Sequence, residues 1–186
     1  MNEQLSKRTV KPVRVASLRA AFELRENGFV YVQSTEPPGH YSVRVTDRLD
    51  FWAHQTPDRI FLAQRSPTGA ERNITYSDAC IRVKRLAAGL LREGLSTSRP
   101  VIILSGNSIE HALIALAAMY VGIPYAPVAP AYSLAVRDFS ALGEVWRNLE
   151  PGMVFVEEGP PFTRALKAMP LAGRCQYRRP GSIDDG

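Results

Sequence analysis

One stretch in the middle of the chain changes its pattern of apolar and polar positions twice. Val101–Leu104 is an uninterrupted apolar run, which is typical of a strand buried on both faces of a parallel sheet. Asn107 is placed to cap a following helix, with Glu110 at the capping-box position, and Gly122 is placed to end that helix. Apolar residues line one helical face at Ile109, Ala112, Leu113, Leu116, Ala117 and Tyr120. With an extended segment at 125–128, the pattern predicts a strand, a crossover helix and a parallel strand.

The flanking segments extend this unit into an α/β fold with a mainly parallel sheet flanked by helices. Before it, Thr46 is placed to cap a short helix, and two strands are expected at 60–64 and 72–75. Thr75 then caps a longer amphipathic helix that ends at Gly94.

Beyond the central unit, the pattern continues to alternate between loops, helices and strands. The sequence predicts a loop at 131–133, a helix over 139–149, a buried strand at Met153–Val156 and another helix over 162–169. Residues 173–186 have no periodicity, so an unstructured tail is expected there.

An N-terminal arm precedes the α/β part. The pair Asn27–Gly28 lies between two β-prone runs and predicts a β-hairpin with a type I′ turn, and 13–15 is compatible with an edge strand. Residues 1–12 are polar and basic and are expected to be disordered. The predicted divisions are therefore 1–12, a β-hairpin arm at 13–45, an α/β domain at 46–172 and the tail.

Charge and cysteine content narrow the classes of function. The net charge of +5 comes from 23 Lys and Arg against 18 Asp and Glu, and the basic residues alternate with acidic ones, which argues against a nucleic-acid partner. Cys80 and Cys175 match neither a disulfide framework nor a metal site, so a reducing compartment is expected. The longest apolar run, 112–123, is too short to span a bilayer, and no secretory signal is present. A cytoplasmic protein without a membrane partner is the expectation.

Several short segments of the sequence match conserved blocks of a known family. Ile-Thr-Tyr-Ser-Asp-Ala at 74–79 matches a block written Leu-Thr-Tyr-x-Glu-Leu, and Gly-Ile-Pro-Tyr-Ala-Pro-Val at 122–128 matches a second block. The chain thus resembles the N-terminal part of the large domain of adenylate-forming (AMP-binding) acyl-CoA and aryl-CoA synthetases, over roughly residues 13–171. SGNSIEHALIALAAMYVGIPYAPVAPAYSL, preceded by TDRLDFWAHQTPDRIFLAQR, is similar to feruloyl-CoA synthases, which activate hydroxycinnamates.

The resemblance implies ATP-dependent adenylation of a carboxylate with Mg²⁺, followed by thioester formation with CoA. The family's phosphate loop, its adenine and Mg²⁺ segment, its ribose-binding Asp and its C-terminal lysine do not occur in this sequence. No catalytic or metal-binding residue is therefore assigned, and no cofactor is assigned to the chain itself. The expectation is a truncated or frame-interrupted gene product, or a protein made short on purpose, that is inactive alone.

The resemblance places one group of residues near the nucleotide part of CoA. It comprises Ala131, Tyr132 and Ser133, in a loop at the carboxyl end of a strand, and Arg164. An ordinary solvated arginine is the alternative interpretation of Arg164. The first alternative function is a non-catalytic module that binds CoA or a nucleotide. A further alternative is that the chain pairs with a separately encoded remainder of the synthetase, or with itself, through unpaired sheet edges and apolar helix faces.

Other polar residues have simpler interpretations. Residues 66–69 resemble a phosphate loop only faintly and are expected to form a hairpin turn. Residues 105–108 lie where a helix N-terminus can bind an anion, although the Asn107 cap would occupy those amides. His111 lacks a second ligand for a metal and is expected to hydrogen-bond a neighbouring strand or to contact solvent. Trp52, Tyr76 and Trp146 are expected to belong to the core.

Overall fold

The structure, a computed structural model, describes residues 19–66, 68–157, 159–169 and 176–178. The chain divides into two units, Met1–Tyr41 and Ser42–Gly186, whereas the sequence predicts an arm that continues to residue 45. The predictions for 1–12 and 13–15, and those for 173–175 and 179–186, lie outside the described residues.

The first unit contains the predicted β-hairpin. Strand β1 (Ala20–Leu24) pairs antiparallel with β2 (Val30–Ser34), so that Leu24 faces Val30. The type I′ turn is wrong, because such a turn needs positive φ at both central residues and only Gly28 has it, with φ of 83°. Gly28 N instead donates to Arg25 O at 2.9 Å, and Arg25 N donates to Phe29 O at 2.9 Å. A longer connection over residues 25–29 therefore joins the strands.

The second unit alternates strands and helices. Its elements are α1 (Asp47–Gln55), β3 (Ile60–Arg65), β4 (Glu71–Thr75), α2 (Tyr76–Arg92), β5 (Val101–Leu104), α3 (Ile109–Tyr120), β6 (Tyr125–Pro127), α4 (Ser140–Leu149), β7 (Met153–Val156), α5 (Gly159–Ala168) and β8 (Gln176–Arg178). Strands β3 and β4 form an antiparallel hairpin. The other four strands form a parallel sheet in the order β6-β5-β7-β8. The predicted α/β fold with a mainly parallel sheet is confirmed.

The sheet lies between two layers of helices, because successive side chains along a strand point to opposite faces. Val101 and Ile103 of β5 belong to a core cluster with α1, α2 and α3. Ile102 and Leu104 of the same strand belong to a second cluster with α4 and α5. All four residues of β5 are buried, which explains why this strand is an unbroken apolar run in the sequence.

Strand β8 corrects one prediction. Residues 176–178 were expected to belong to an unstructured tail, but they pair in parallel with β7, with Met153 opposite Gln176. The extended conformation of these residues comes from pairing with a neighbouring strand, which leaves no periodic pattern in so short a segment.

The helix caps agree with the sequence only in part. Thr75 caps α2 as predicted, since its side chain accepts a hydrogen bond from Asp78 N at 3.2 Å. Ser108, not Asn107, caps α3 by accepting from His111 N at 3.1 Å. Thr46 precedes α1 as predicted, but its side chain makes no capping bond and its buried hydroxyl has no partner among the described residues.

The amino end of the sheet is closely packed at Gly152. Gly152 N donates to Pro100 O at 2.9 Å, which joins the chain just before β7 to the chain just before β5. A Cβ atom at this position would lie 2.7 Å from Leu95 Cδ2 and 2.9 Å from Arg99 Cβ. Glycine is therefore required here by the lack of space. Among the described residues, none of the helices is both long and apolar enough to cross a membrane.

Candidate functional site

The carboxyl end of β5 lies at a change in the direction of the chain path. Helix α3 follows β5 and packs on one face of the sheet, whereas α4 and α5 follow the adjacent strands β6 and β7 and pack on the other face. Neighbouring strands whose following helices lie on opposite faces leave a crevice outside their carboxyl ends, and open α/β sheets bind ligands there. This end of the sheet is therefore the candidate functional site.

Ser105 and His111 form a contact at this crevice that the sequence did not predict in detail. Ser105 is 3% exposed, and its Oγ lies 2.8 Å from His111 Nδ1. The same Nδ1 lies 3.1 Å from Gly106 O, and Ser105 Oγ donates to that carbonyl oxygen at 3.1 Å. The contact joins the residue after β5 to the first turn of α3, which agrees with the first of the two environments predicted for His111, a hydrogen bond near a strand.

The N-terminal amides of α3 are already engaged. Ile109 N donates to Gln64 Oε1 at 3.1 Å, and His111 N donates to the cap residue Ser108. A cavity of about 190 Å³ lies beside this turn, between β3 and residues 107–109. These two amides of the first turn of α3 therefore have partners within the chain. Gln64 and Ser108 accept hydrogen bonds from these amides, whereas the sequence predicted that Asn107 would do so.

The residues assigned to the vicinity of CoA lie on two elements. Residues 130–132 form one short 3-10 turn, in which Ala131 and Tyr132 are exposed. Ser133 is buried, and its hydroxyl donates to Pro130 O at 3.3 Å. Arg164 is exposed on α5, with its guanidinium carbon 5.8 Å from the centre of the Phe139 ring. The structure thus brings Arg164 to the start of α4, and a CoA site at these residues stays a prediction.

A polar cluster on the other face of the sheet joins three helices. Asp50 of α1 accepts hydrogen bonds from Lys84 Nζ at 2.7 Å, Cys80 Sγ at 3.3 Å and Tyr120 OH at 3.1 Å. Burial opposes ionisation of Asp50, but these three donors outweigh it and hold the pKa of the carboxyl below its ordinary value. The hydrogen bond to Asp50 raises the pKa of Lys84. These contacts stabilise the packing of α1, α2 and α3.

The thiol of Cys80 belongs to the same cluster. Burial, followed by the hydrogen bond to Asp50, raises its pKa, so the thiolate is disfavoured. Cys80 is therefore a poor nucleophile.

The remaining candidates are structural. Trp146 is buried in the second core cluster, and Tyr76 packs on Phe61 with ring centres 4.7 Å apart, as predicted for core residues. The prediction for Trp52 is wrong, because its side chain is 37% exposed and lies outside the core clusters. Gly69 N donates to Ser66 O at 2.9 Å within the β3–β4 hairpin, which confirms the turn. Within the described ranges, no group of three His, Cys, Asp or Glu side chains could hold a metal.

Similar proteins were found by sequence and by structure. Over 82 residues, 44% of this chain, the sequence is 37% identical to the phosphinothricin tripeptide synthetase PhsB of Streptomyces viridochromogenes and covers 7% of that protein. A fatty acyl-adenylate ligase from L. pneumophila superposes with a TM-score of 0.62 at 18% identity, over 75% of this chain and 24% of the other. The N-terminal subdomain of NpsA from Klebsiella oxytoca gives a TM-score of 0.58 at 22% identity, over 77% and 32%.

The two structural matches agree on the fold. The chain spans less than a third of the length of each of these proteins, namely 7%, 24% and 32%. The sequence pattern of the AMP-binding enzyme family matches residues 49–176, from α1 to the start of β8. The chain therefore belongs to the AMP-binding enzyme family.

Proposed function

We propose that this chain supplies the scaffold section of an acid–CoA ligase of the feruloyl-CoA synthase kind, a cytoplasmic enzyme of phenylpropanoid catabolism. The observation that carries the proposal is the unit β5–α3–β6, in which β5 is an inner strand and β6 an edge strand of the parallel sheet, and whose residues 105–134 resemble feruloyl-CoA synthases. The family match over 49–176 supports the adenylate-forming chemistry of the proposal. The hydroxycinnamate substrate rests on the sequence resemblance alone.

The described residues do not fit a complete site for Mg²⁺ and ATP. A triphosphate needs a cradle of available backbone amides and a cation, and two amides in the first turn of α3, those of Ile109 and His111, already bond Gln64 and Ser108. In the part of the chain with described coordinates, no cluster of carboxylates could hold the metal. We therefore propose that the chain does not form the acyl-adenylate by itself, and no step of the reaction is assigned to its residues.

A role for the chain in CoA binding is the second candidate. Ala131 and Tyr132 are exposed at the carboxyl end of the sheet, and Arg164 presents an exposed guanidinium beside Phe139. In this proposal Arg164 contacts a phosphate of CoA, while the loop at 131–133 contacts its nucleotide part. A partner chain that carries the rest of the synthetase, or a second copy, would complete the site.

An assay of the purified chain tests the first proposal. With ATP, Mg²⁺, CoA and ferulate, formation of AMP and of thioester should not exceed the blank, and turnover would contradict it. A second experiment produces the chain together with the C-terminal remainder of a feruloyl-CoA synthase. In this experiment, ferulate-dependent AMP formation is expected. A mixture that assembles but activates only other acids would contradict the feruloyl assignment.

Titration calorimetry with CoA tests the second candidate. The chain should bind CoA, and Arg164→Ala should weaken binding by about tenfold, as loss of a charge-assisted contact would. Arg82→Ala, which removes an exposed arginine on α2, is the matched control and should bind like the unmodified chain. Absence of heat at millimolar CoA would contradict this candidate.

A further inference from the structure

The hairpin of β1 and β2 has two faces of different chemistry. Successive side chains along a strand point to opposite faces, and residues paired across two antiparallel strands share a face. The apolar face consists of three cross-strand pairs without a charged side chain, namely Ala20 with Ser34, Phe22 with Val32, and Leu24 with Val30. The opposite face consists of Ala21 with Gln33 and Glu23 with Tyr31.

The charged groups of the hairpin are engaged on the opposite face. Glu23 Oε1 lies 2.9 Å from Arg25 Nε, and the guanidinium carbon of Arg25 lies 4.7 Å from the centre of the Tyr31 ring. These contacts keep both charges on the side of Tyr31. Two copies of the chain that meet through their apolar faces therefore bring no like charges of β1 and β2 into contact.

The apolar face is exposed to solvent. Its four large side chains, those of Phe22, Leu24, Val30 and Val32, are 72%, 75%, 58% and 62% exposed. A two-stranded hairpin is at best marginally stable in water unless further strands or a packed element support it. A contiguous apolar patch of this kind marks a surface that associates with another apolar surface.

The apolar face changes in height from one end to the other. Leu24 and Val30 lie beside the turn, Phe22 lies in the middle, and the small residues Ala20 and Ser34 lie at the open end. When two such faces pack antiparallel about a two-fold axis, the high end of each lies over the low end of the other. The face is thus complementary to itself, as a symmetric dimer interface requires.

The size of the apolar face limits the strength of such a contact. Burying one aliphatic or aromatic side chain removes about 60–120 Å² of apolar surface from water, so four side chains from each copy give a contact of about 500–1,000 Å². Stable interfaces bury about 1,200 Å² or more. A dimer through this face is therefore weak and reversible, with a dissociation constant above about 1 μM.

The hairpin also lies outside the part of the chain that is common to the family. The AMP-binding pattern begins at residue 49, after both strands of the hairpin. We propose that the apolar face of the hairpin is a dimer interface, on which the same face of a second copy of this chain packs in antiparallel orientation. This inference goes beyond the ligase proposal and does not depend on it.

Sedimentation equilibrium of the full chain tests the proposal, over concentrations from about 1 μM to about 500 μM. The average mass should rise from that of one copy toward that of two. Phe22→Thr should raise the dissociation constant by about tenfold or more, because it removes the largest apolar side chain at the centre of the face. Tyr31→Thr is the matched control, since it replaces an aromatic residue by threonine on the opposite face, and it should change the constant by less than about twofold.

Threonine is well tolerated in strands, so both variants are expected to keep the hairpin. Equal far-UV circular dichroism spectra of the two variants check this. A mass of one copy at every concentration would overturn the proposal, and so would equal dissociation constants for Phe22→Thr and the unmodified chain. A chain that stays monomeric alone but binds the C-terminal remainder of a synthetase through Phe22 would also overturn it, because the remainder would then cover the face.

Disulfide cross-linking tests the orientation of the two copies. Copies with Ala20→Cys are mixed with copies with Leu24→Cys, both in a Cys175→Ser background, and are oxidised in air. The antiparallel arrangement places position 20 of one copy opposite position 24 of the other, so the mixed disulfide should form in excess over disulfides between like copies. An excess of disulfides between like copies would overturn the antiparallel arrangement.

Discussion

Arg72 of β4 and Glu110 in the first turn of α3 form an ion pair in which Arg72 Nη2 lies 2.6 Å from each carboxylate oxygen. The arginine side chain is 54% exposed and the glutamate side chain 18% exposed. The pair links the β3–β4 hairpin to the helix that follows the central strand. Glu110 therefore serves this link instead of the predicted capping box.

A double-mutant cycle with Arg72→Ala and Glu110→Ala should give a coupling free energy of about 0.5–1 kcal/mol, because solvent screens a pair with an exposed partner. Urea unfolding measures the free energy of unfolding of each variant. The coupling should shrink in concentrated salt. A coupling that is unchanged by salt would contradict the electrostatic origin.

Ser108→Ala should destabilise the protein by about 1 kcal/mol, because it removes the side chain that accepts from His111 N. Asn107→Ala is the control and should change the free energy of unfolding by less than about 0.5 kcal/mol, since Asn107 is exposed and does not cap α3. Equal losses in the two variants, measured by urea unfolding, would contradict the assignment of the cap.

Asp50→Asn should reduce the pH dependence of the free energy of unfolding at acidic pH. The hydrogen bonds from Lys84, Cys80 and Tyr120 prevail over burial and keep the pKa of Asp50 in the folded protein below the ordinary value of 3.8. The unfolded chain thus takes up the proton first, so the stabilisation is present above pH 3.8 and is lost as the pH falls through the folded-state pKa.

Urea unfolding at a series of pH values below neutral measures this effect. Asp58→Asn is the matched control, because Asp58 is an exposed carboxylate for which the described residues provide no ion pair. The control should retain the pH dependence of the unmodified protein. A slope in Asp50→Asn equal to that of the control would show that the cluster does not depend on the charge of Asp50.

Thr46→Val should stabilise the protein by up to about 1 kcal/mol, because it removes a buried hydroxyl that has no partner among the described residues. Thr75→Val makes the same chemical change where the hydroxyl caps α2, and it should cost about 1 kcal/mol. Thermal unfolding of the two variants measures the contrast. A loss of stability in both would indicate that Thr46 has a polar partner.

The sequence predicted the elements whose burial leaves a periodic pattern. Strand β5 and helix α3 are apolar where they contact the two core clusters, so the unit β5–α3–β6 could be located before the structure was known. Asn107 and Ser108 are both good capping residues, and composition alone does not decide between neighbours. Strand β8 depends on pairing with β7, which a local pattern does not record.

The candidate sites were less predictable because they depend on residues that are distant in sequence. Gln64 occupies an amide of α3 from 45 positions away, and Arg137 lines a groove together with Met169 of the segment after α5. The contact of Ser105 with His111 does have a local signal, since a serine ending a buried strand precedes a histidine in the first turn of the next helix.

The close approach at Gly152 gives the two ends of the sheet unequal freedom to vary in sequence. Even one methyl group would overlap Leu95 and Arg99 at the amino end, so any larger residue there requires these side chains to shift. Exposed residues such as Ala131 and Tyr132 at the opposite end face no comparable steric limit. Amino-acid substitutions are thus tolerated better at the carboxyl end of the sheet, where open α/β sheets bind ligands. Changes of specificity at this end need not disturb the packed layers.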